Sequence, residues 1–268
     1  MIAFPHAKIN LGLSIISKRP DGFHNLETIF YPLPLCDVLE IVPSTETRFQ
    51  LTGLDIPGKP VENLVVRTYH LLKKNYPRVG PLFIHLHKAI PMGAGLGGGS
   101  SDAAGILNLV NRLFELNIPV EDLKTYAQEL GSDCPFFIQS APCFASGRGE
   151  ILEPVNLDLS GYSFLLIHPE IHIETARAYS GVRPETPVTD LKKSILQPIP
   201  EWNKTVHNDF EIPVFKAYPS LRKIKEKLYT AGALFAAMTG SGSTIYGIFP
   251  KGELPEIRIE RASKTIIR

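Results

Sequence analysis

A run of glycines between a strand-like and a helix-like segment constrains this chain more than any other feature. The stretch PMGAGLGGGSSDAA, from Pro91 to Ala104, holds five glycines between Gly93 and Gly99. The alternating segment LFIHLHKAI precedes it, and apolar residues at helical spacing follow it. Glycine costs backbone entropy and contributes no packing, so such a run requires either a tight turn or room for a ligand against the main chain.

The order of strand, glycine loop and helix N-terminus favours an anion site. The first N–H groups of a helix have no partner inside it and lie at the positive end of the helix dipole. Phosphate is the ligand that suits this arrangement. Five glycines in seven positions exceed what a simple turn needs, so we predict phosphate binding rather than a plain connection. Ser100, Ser101 and Asp102 are predicted to cap the helix.

Two common phosphate loops do not fit. Gly93, Gly95 and Gly98 satisfy GxGxxG, but a second helical segment, VEDLKTYAQELG, follows where a dinucleotide fold needs a strand ending in an acidic residue. A Walker A loop needs GK[ST], and no lysine occurs between Lys88 and Lys124. We therefore expect backbone amides and serine hydroxyls to hold the phosphates.

Composition excludes several classes of protein. The net charge of +1 gives no support for nucleic acid as the main partner. No apolar run approaches the roughly 20 residues that span a membrane, and MIAFPHAKIN does not resemble a signal peptide. Three cysteines without CxxC spacing indicate neither a metal site nor a disulfide framework. We expect a cytoplasmic protein that binds neither nucleic acid nor membrane.

The remaining patterns predict a mixed α+β chain. Residues 7–15 alternate, with Lys8 and Asn10 on the face opposite Ile9. GSDCPFFI is predicted to form a turn and a short apolar strand. A change of composition near PVNLDLSGYSF places a domain boundary at residue 155, and a second glycine loop, MTGSGSTIYGIF, follows in the C-terminal half.

Three segments, in the family's order, resemble the GHMP kinases, the family of galactokinase, homoserine kinase and mevalonate kinase. FPHAKINLGL resembles the N-terminal motif, PMGAGLGGGSSDAA the phosphate-loop motif, and MTGSGSTIYGIF the C-terminal glycine motif. The resemblance implies a two-domain α+β fold. Residues 1–155 would form an ATP-binding domain like ribosomal protein S5 domain 2, and residues 156–268 a ferredoxin-like domain.

The forms AKINLGL, RPDGFH, GLGGGSSDAA and LGSDCPFF resemble one branch of that family in particular. This branch uses ATP, with Mg2+, to phosphorylate a cytidine-diphosphate-linked methylerythritol in the non-mevalonate isoprenoid pathway. The resemblance thus implies small-molecule partners only, and it leaves open a monomer or a homodimer.

The resemblance also assigns two catalytic residues. Asp133, in GSDCPFF, matches the family's catalytic aspartate and would accept the proton of the substrate hydroxyl. Lys8 matches the active-site lysine and would stabilise charge on the reacting oxygens. Without the resemblance, Asp133 would be better explained as a turn residue that caps the next element, and Lys8 as a solvated strand lysine.

Binding residues follow from the same match. The phosphate-binding set is Pro91, Gly93, Ala94, Gly95, Leu96, Gly97, Gly98, Gly99, Ser100 and Ser101. The substrate-binding set is Asn10, Phe23, His24, Tyr179, Gly240, Ser241 and Gly242. Phe23 and Tyr179 would stack on the cytosine, and His24 would read its edge. Asn63 is expected beside the adenine and Ser101 as a magnesium ligand.

Ordinary structural roles compete with these assignments. Aromatic side chains more often pack in a core, an asparagine before a helix often caps it, and small residues suit a hairpin. Two other functions also stay open at this point. The first is another GHMP kinase, acting on homoserine or a mevalonate-type alcohol, which the Phe23–His24 pair disfavours. The second is a non-catalytic nucleotide- or RNA-binding module, which the near-neutral charge disfavours.

Overall fold

The structure, a computed structural model, describes residues 1–257, 259 and 262–267. Its strands are β1 (Ile2–Ala3), β2 (His6–Lys18), β3 (His24–Cys36), β4 (Val38–Pro43), β5 (Arg48–Gly53), β6 (Leu82–Lys88), β7 (Cys143–Ser146), β8 (Ile151–Pro154), β9 (Tyr162–Pro169), β10 (Phe235–Met238), β11 (Ile245–Pro250) and β12 (Ala262–Ile267). Its α-helices are α1 (Leu64–Asn75), α2 (Gly98–Leu113), α3 (Val120–Leu130), α4 (Cys134–Phe137), α5 (Thr175–Ser180), α6 (Leu191–Ser194), α7 (Trp202–Thr205), α8 (Glu211–Ala217) and α9 (Pro219–Thr230). Short 3-10 helices cover Pro60–Glu62 and Ile199–Glu201. Strands and helices mix along the chain, which confirms the predicted α+β class.

The chain forms two compact units whose segments alternate along the sequence. Unit 1 consists of Met1–Lys8, Pro32–Met92 and Gly97–Ala141. Unit 2 consists of Ile9–Tyr31, Gly93–Leu96 and the chain from Pro142 onward. The domain boundary at residue 155 stays a prediction.

Unit 1 is built on a sheet with the strand order β1-β4-β6-β5. Strand β4 runs antiparallel to β6, and β5 runs parallel to it. Alternate residues of β6, namely Leu82, Ile84 and Leu86, are buried, as expected for a strand with one face on a core. Helices α1 and α2 pack on each other, and α2 also contacts β4. The central strand β6 therefore leads directly into the glycine loop and then into α2.

Unit 2 contains a sheet with the order β10-β11-β9-β12, antiparallel throughout. Counted from β9, this is the 4-1-3-2 order of a ferredoxin-like sheet, as the resemblance implied. Helix α9 packs on β10 and β11 through Leu221, Ile224 and Leu228, which are buried at helical spacing. Strands β10 and β11 form a hairpin around the second glycine loop. A further sheet has the order β2-β3-β7-β8.

Two local predictions are wrong. The segment CPFFI is helical at α4 rather than a strand, and Pro135 lies in its first turn, where a missing N–H costs nothing. Helix α2 begins at Gly98 with Gly97 as its N-cap, so Ser100, Ser101 and Asp102 lie inside the helix instead of capping it. The left-handed φ of +71° at Gly97 turns the chain into the helix earlier than a serine cap would. Within the described residues, no helix is both long enough and apolar enough to cross a membrane.

Candidate active site

Some glycines of the loop are required by contacts within the protein. A Cβ on Gly95 would lie 2.1 Å from the carbonyl oxygen of Thr239, and one on Gly97 would lie 2.7 Å from an aromatic ring carbon. Both residues also adopt a positive φ, which favours glycine. A Cβ on Gly98 would lie 2.9 Å from Cγ2 of Ile90. These three glycines allow close packing and do not by themselves indicate a ligand.

Gly99 is different. Its φ lies outside the left-handed region, and the protein atom nearest to a Cβ there would be Cδ1 of Leu64, at an ordinary contact distance of 3.7 Å. Gly99 lines a cavity of about 270 Å³ in unit 1. Neither backbone conformation nor protein packing thus explains the missing side chain, so the bare main chain at this position indicates space for a ligand.

The cavity has mostly apolar walls with a few polar groups, which is typical of small-molecule sites. Its lining residues are Phe49, Leu51, Ile56, Pro57, Gly58, Lys59, Pro60, Glu62, Asn63, Leu64, Met92, Gly99 and Asp102. The side-chain oxygen of Asn63 accepts a hydrogen bond from the Val65 amide at 2.9 Å, so Asn63 caps α1. Capping was the alternative explanation for this residue, and its place beside the adenine stays a prediction.

The first turn of α2 has three amides without a partner inside the helix, and Gly99, which carries one of them, lines this cavity. The first bond within the helix runs from the Ser101 amide to the Gly97 carbonyl at 2.9 Å. The N–H groups of Gly98, Gly99 and Ser100 therefore have no partner inside the helix. Because they lie at the positive end of the helix dipole, they suit a phosphate group.

Lys8 and Asp133 form an ion pair beside this helix terminus. Nζ of Lys8 lies 3.3 Å from Oδ2 of Asp133. Lys8 is only 3% exposed, which excludes a solvated strand lysine. Asp133 occupies the N-cap position of α4 but makes no side-chain capping bond there. A Cβ on Gly97 would lie 3.2 Å from Cε of Lys8, so the lysine passes directly against the N-cap of α2.

A buried charged cluster formed by Asp37, Lys88 and Asp102 was missed by the sequence reasoning. Nζ of Lys88 donates to Oδ2 of Asp37 and, at 2.8 Å, to Oδ2 of Asp102. All three residues are buried. Burial raises the pKa of Asp102 to about 7, and the attraction of Lys88 opposes that shift. Nothing in the local sequence around Asp37 links it to the glycine loop.

Unit 2 contains the residues predicted to bind the cytosine. Phe23 is 51% exposed, and the guanidinium of Arg148, which sequence reasoning missed, lies 4.2 Å above its ring. The rings of His24 and Tyr179 stack with centroids 4.8 Å apart. Burial, and secondarily the charge of Lys18, lowers the pKa of His24, which keeps its ring neutral near pH 7.

The other predicted substrate residues of unit 2 have partners within the protein. The side-chain amide of Asn10 is buried and donates to Oγ1 of Thr28 at 3.0 Å. The hydroxyl of Ser241 lies 3.4 Å from that of Thr175. A Cβ on Gly242 would lie 2.7 Å from a methionine sulfur. Their roles toward a substrate stay predictions.

The remaining predicted residues also make contacts inside the fold. Gly240 has a positive φ of 55° in the hairpin loop. Ala94 and Leu96 are buried, so only their main chain is available to a phosphate, and Pro91 is partly buried. A Cβ on Gly93 would lie 3.1 Å from Nδ1 of His172. Phosphate binding by these residues stays a prediction.

Comparisons with known proteins agree with the resemblance. The family model described as GHMP kinases N terminal domain matches residues 63–141, and the one described as GHMP kinases C terminal matches residues 191–265. A curated 4-diphosphocytidyl-2-C-methyl-D-erythritol kinase of Bacteroides thetaiotaomicron is 51% identical over 261 residues, which cover 96% of this chain and 95% of the relative.

Solved structures of GHMP kinases match this chain as well. A crystal structure of 4-(cytidine 5'-diphospho)-2C-methyl-D-erythritol kinase matches with a TM-score of 0.77 and 32% identity, covering 92% of this chain and 90% of that one. The mevalonate kinase of Methanococcus jannaschii matches with a TM-score of 0.74 at 15% identity, covering 100% of this chain and 98% of that one, which shows a shared fold alone. The predicted GHMP kinase fold is confirmed.

Proposed function

Because the chain belongs to the GHMP kinase family, and within it to the 4-diphosphocytidyl-2-C-methyl-D-erythritol kinases, we propose that it phosphorylates that cytidine-linked alcohol with ATP. The reaction transfers the γ-phosphoryl group to the 2-hydroxyl and gives the 2-phosphate and ADP, as a step of the non-mevalonate isoprenoid pathway. The observation that carries the proposal is the Lys8–Asp133 pair, 3.3 Å apart, against the N-cap of the helix that follows the glycine loop.

In this mechanism Asp133 accepts the proton of the substrate hydroxyl while the hydroxyl oxygen attacks the γ-phosphorus and ADP leaves. The side chain of Asp133 is 36% exposed, so a substrate can reach its carboxylate, whereas that of Lys8 is 4% exposed and held in place. The fixed ammonium stabilises negative charge that develops on the reacting oxygens. The pair thus combines an accessible base with an immobile cation.

The amides of Gly98, Gly99 and Ser100 bind phosphate oxygens in this proposal, and the cavity lined by Gly99 and Asn63 takes the base of ATP. Magnesium, when bound, neutralises charge on the β- and γ-phosphoryl oxygens. The hydroxyl of Ser101 is the candidate protein ligand. In the part of the chain that the structure describes, no three His, Cys, Asp or Glu side chains are grouped as a metal site, which fits an ion held mainly by ATP and water.

The cytosine is assigned to the turn between β2 and β3. The exposed ring of Phe23 offers a stacking face, and the guanidinium of Arg148 holds that ring from one side. Neutral His24 has one ring nitrogen as a donor and one as an acceptor for the edge of the base. Homoserine and mevalonate have no such base, so this turn favours the cytidine-linked alcohol over them. The proposal includes a cytoplasmic enzyme, monomeric or homodimeric, without nucleic-acid or membrane partners.

Turnover with parallel alcohols tests the proposal. The purified protein is given ATP and Mg2+ with the cytidine-linked methylerythritol, homoserine or mevalonate, while ADP is measured and 31P NMR locates the new phosphate. We expect ADP and a 2-phosphate only with the first alcohol. Turnover with one of the other two would make the chain a different GHMP kinase. ATP binding without turnover on any alcohol would support the non-catalytic nucleotide-binding module.

A further inference from the structure

The buried Asp37–Lys88–Asp102 cluster is separate in the sequence from the reacting groups proposed above, and it binds the main chain or side chains at both ends of the segment that carries the glycine loop. Oδ1 of Asp37 accepts hydrogen bonds from the amides of Ala89 at 2.6 Å and Ile90 at 2.9 Å. These are the first two residues after β6. One carboxylate oxygen therefore fixes the direction in which the chain leaves the central strand.

The other oxygen of Asp37 extends the connection to the helix. It binds Nζ of Lys88, and the same ammonium donates at 2.8 Å to Asp102, which lies in α2 just after its first turn. A Cβ on Gly98 would lie 3.1 Å from that Nζ, so the ammonium packs directly against the turn that contains the amides without a partner inside the helix. Lys88 is 1% exposed and is bonded to both carboxylates, so it acts through this packing and not as a phosphate ligand.

A buried ion cluster is weak evidence for a role in stability alone. Replacing buried ion pairs by apolar side chains is often neutral or stabilising, because desolvation offsets their attraction. Hydrogen bonds and hydrogen-bonded ion pairs have preferred directions, which apolar contacts lack. They therefore hold the main chain to which they bind in a single geometry. A phosphate site made of backbone amides needs that property, because its donors have no side-chain freedom to adjust.

We propose that Asp37 is a positioning residue for the nucleotide: it fixes the exit of β6 and, through Lys88, the first turn of α2, so that the amides of Gly98 to Ser100 are preorganised for phosphate. The inference rests on the proposed function only in that ATP is the nucleotide. It concerns affinity for the phosphates, not the transfer step and not the cytosine.

The substitution Asp37→Asn tests this with little change of shape. An asparagine has one acceptor and one donor side, so it either keeps its bonds to the Ala89 and Ile90 amides and points an NH2 group at Lys88, or flips and loses both amide bonds. We expect the dissociation constant of ATP, measured by calorimetry, to rise about tenfold. The dissociation constant of adenosine, which has no phosphate, should change by less than twofold relative to the original chain, as should KM for the alcohol. Asp122→Asn, an exposed aspartate of the same unit, is the matched control and should change none of these values.

If Asp37 had a purely structural role, Asp37→Asn would lower the unfolding temperature and the active fraction but leave the dissociation constant of ATP for the folded protein unchanged. That result would overturn the proposal. An equal loss for ATP and adenosine would also overturn it. These binding measurements need no turnover, so they separate a failure here from a failure of the proposed reaction.

Hydrogen exchange on the unaltered protein provides a second test if the variant does not fold. The amides of Ala89 and Ile90 should be protected without ligand as strongly as those of β6. If they instead exchange as fast as solvent-exposed loop amides, Asp37 does not hold them and the positioning role is wrong.

Discussion

Replacing Gly99 by alanine should stabilise the protein and weaken its binding of ATP at the same time. Gly99 lies in the first turn of α2, its φ is compatible with any residue, and a Cβ there would have 3.7 Å to its nearest protein neighbour. Alanine is favoured over glycine inside a helix by about 0.5–1 kcal/mol. Since a gain of 1 kcal/mol raises the unfolding temperature of a chain of this size by about 2–4 °C, we expect a rise of a few degrees at most.

The effect on the nucleotide should have the opposite sign. The added methyl group takes space at the wall of a cavity of about 270 Å³, where the proposed ligand contacts the main chain. Forcing one extra carbon into a packed contact costs about 1–3 kcal/mol. At 1.4 kcal/mol per factor of ten, this predicts a dissociation constant for ATP that is about 5- to 150-fold higher. KM for the alcohol should not change.

Calorimetric titration with ATP and a thermal unfolding curve, both on the same preparation, measure the two effects. Gly98→Ala is the matched control, because a Cβ there would lie 2.9 Å from Cγ2 of Ile90 and should destabilise the fold with or without ligand. If Gly99→Ala is more stable than the original chain and binds ATP equally well, the cavity does not hold the nucleotide and the interpretation of Gly99 is wrong.

Three further predictions concern the chemistry and the cytosine. Asp133→Asn should lower kcat by about 10²–10⁴-fold, the usual contribution of a general base, while the ATP dissociation constant stays within twofold; near-normal single-turnover rates would contradict the assignment. Phe23→Ala should raise KM for the cytidine-linked alcohol by about tenfold or more, since stacking contributes about 1–3 kcal/mol per base, and an equal rise in KM for ATP would refute the stacking role. Because burial lowers the pKa of His24 below its ordinary value, the ring should stay neutral from pH 8 to pH 7, and KM for the alcohol should rise only at more acidic pH, as protonation removes the ring acceptor. His24→Gln should remove that rise, and a profile unchanged by the substitution would exclude His24 as its source.

Local patterns in the sequence predicted the helices and strands whose apolar residues recur at a regular spacing. The alternation of LFIHLHK gave β6, and the apolar stripe after the loop gave α2, because burial of one face imposes these periods. CPFFI was misassigned because four apolar residues are too few to distinguish a strand from a helical turn. The catalytic roles of Lys8 and Asp133 followed from family resemblance and not from periodicity, since the two residues are distant in sequence. Asp37 could not be found at all: its bond to Ala89 joins residues 52 positions apart, and no spacing rule covers such a contact.

The glycine run therefore has two physical origins that its spacing cannot separate. Gly95, Gly97 and Gly98 lack side chains at positions where, respectively, a carbonyl oxygen, an aromatic ring and an ammonium group come close to the main chain. Among these four glycines, only Gly99 borders a cavity at the place where a side chain would lie. The close contacts around the other three hold the loop in one conformation, and an opening at Gly99 can select a nucleotide only if the main chain around it does not move. Substitutions at the packed glycines should therefore reduce ATP affinity indirectly, together with stability, whereas a substitution at Gly99 should separate the two.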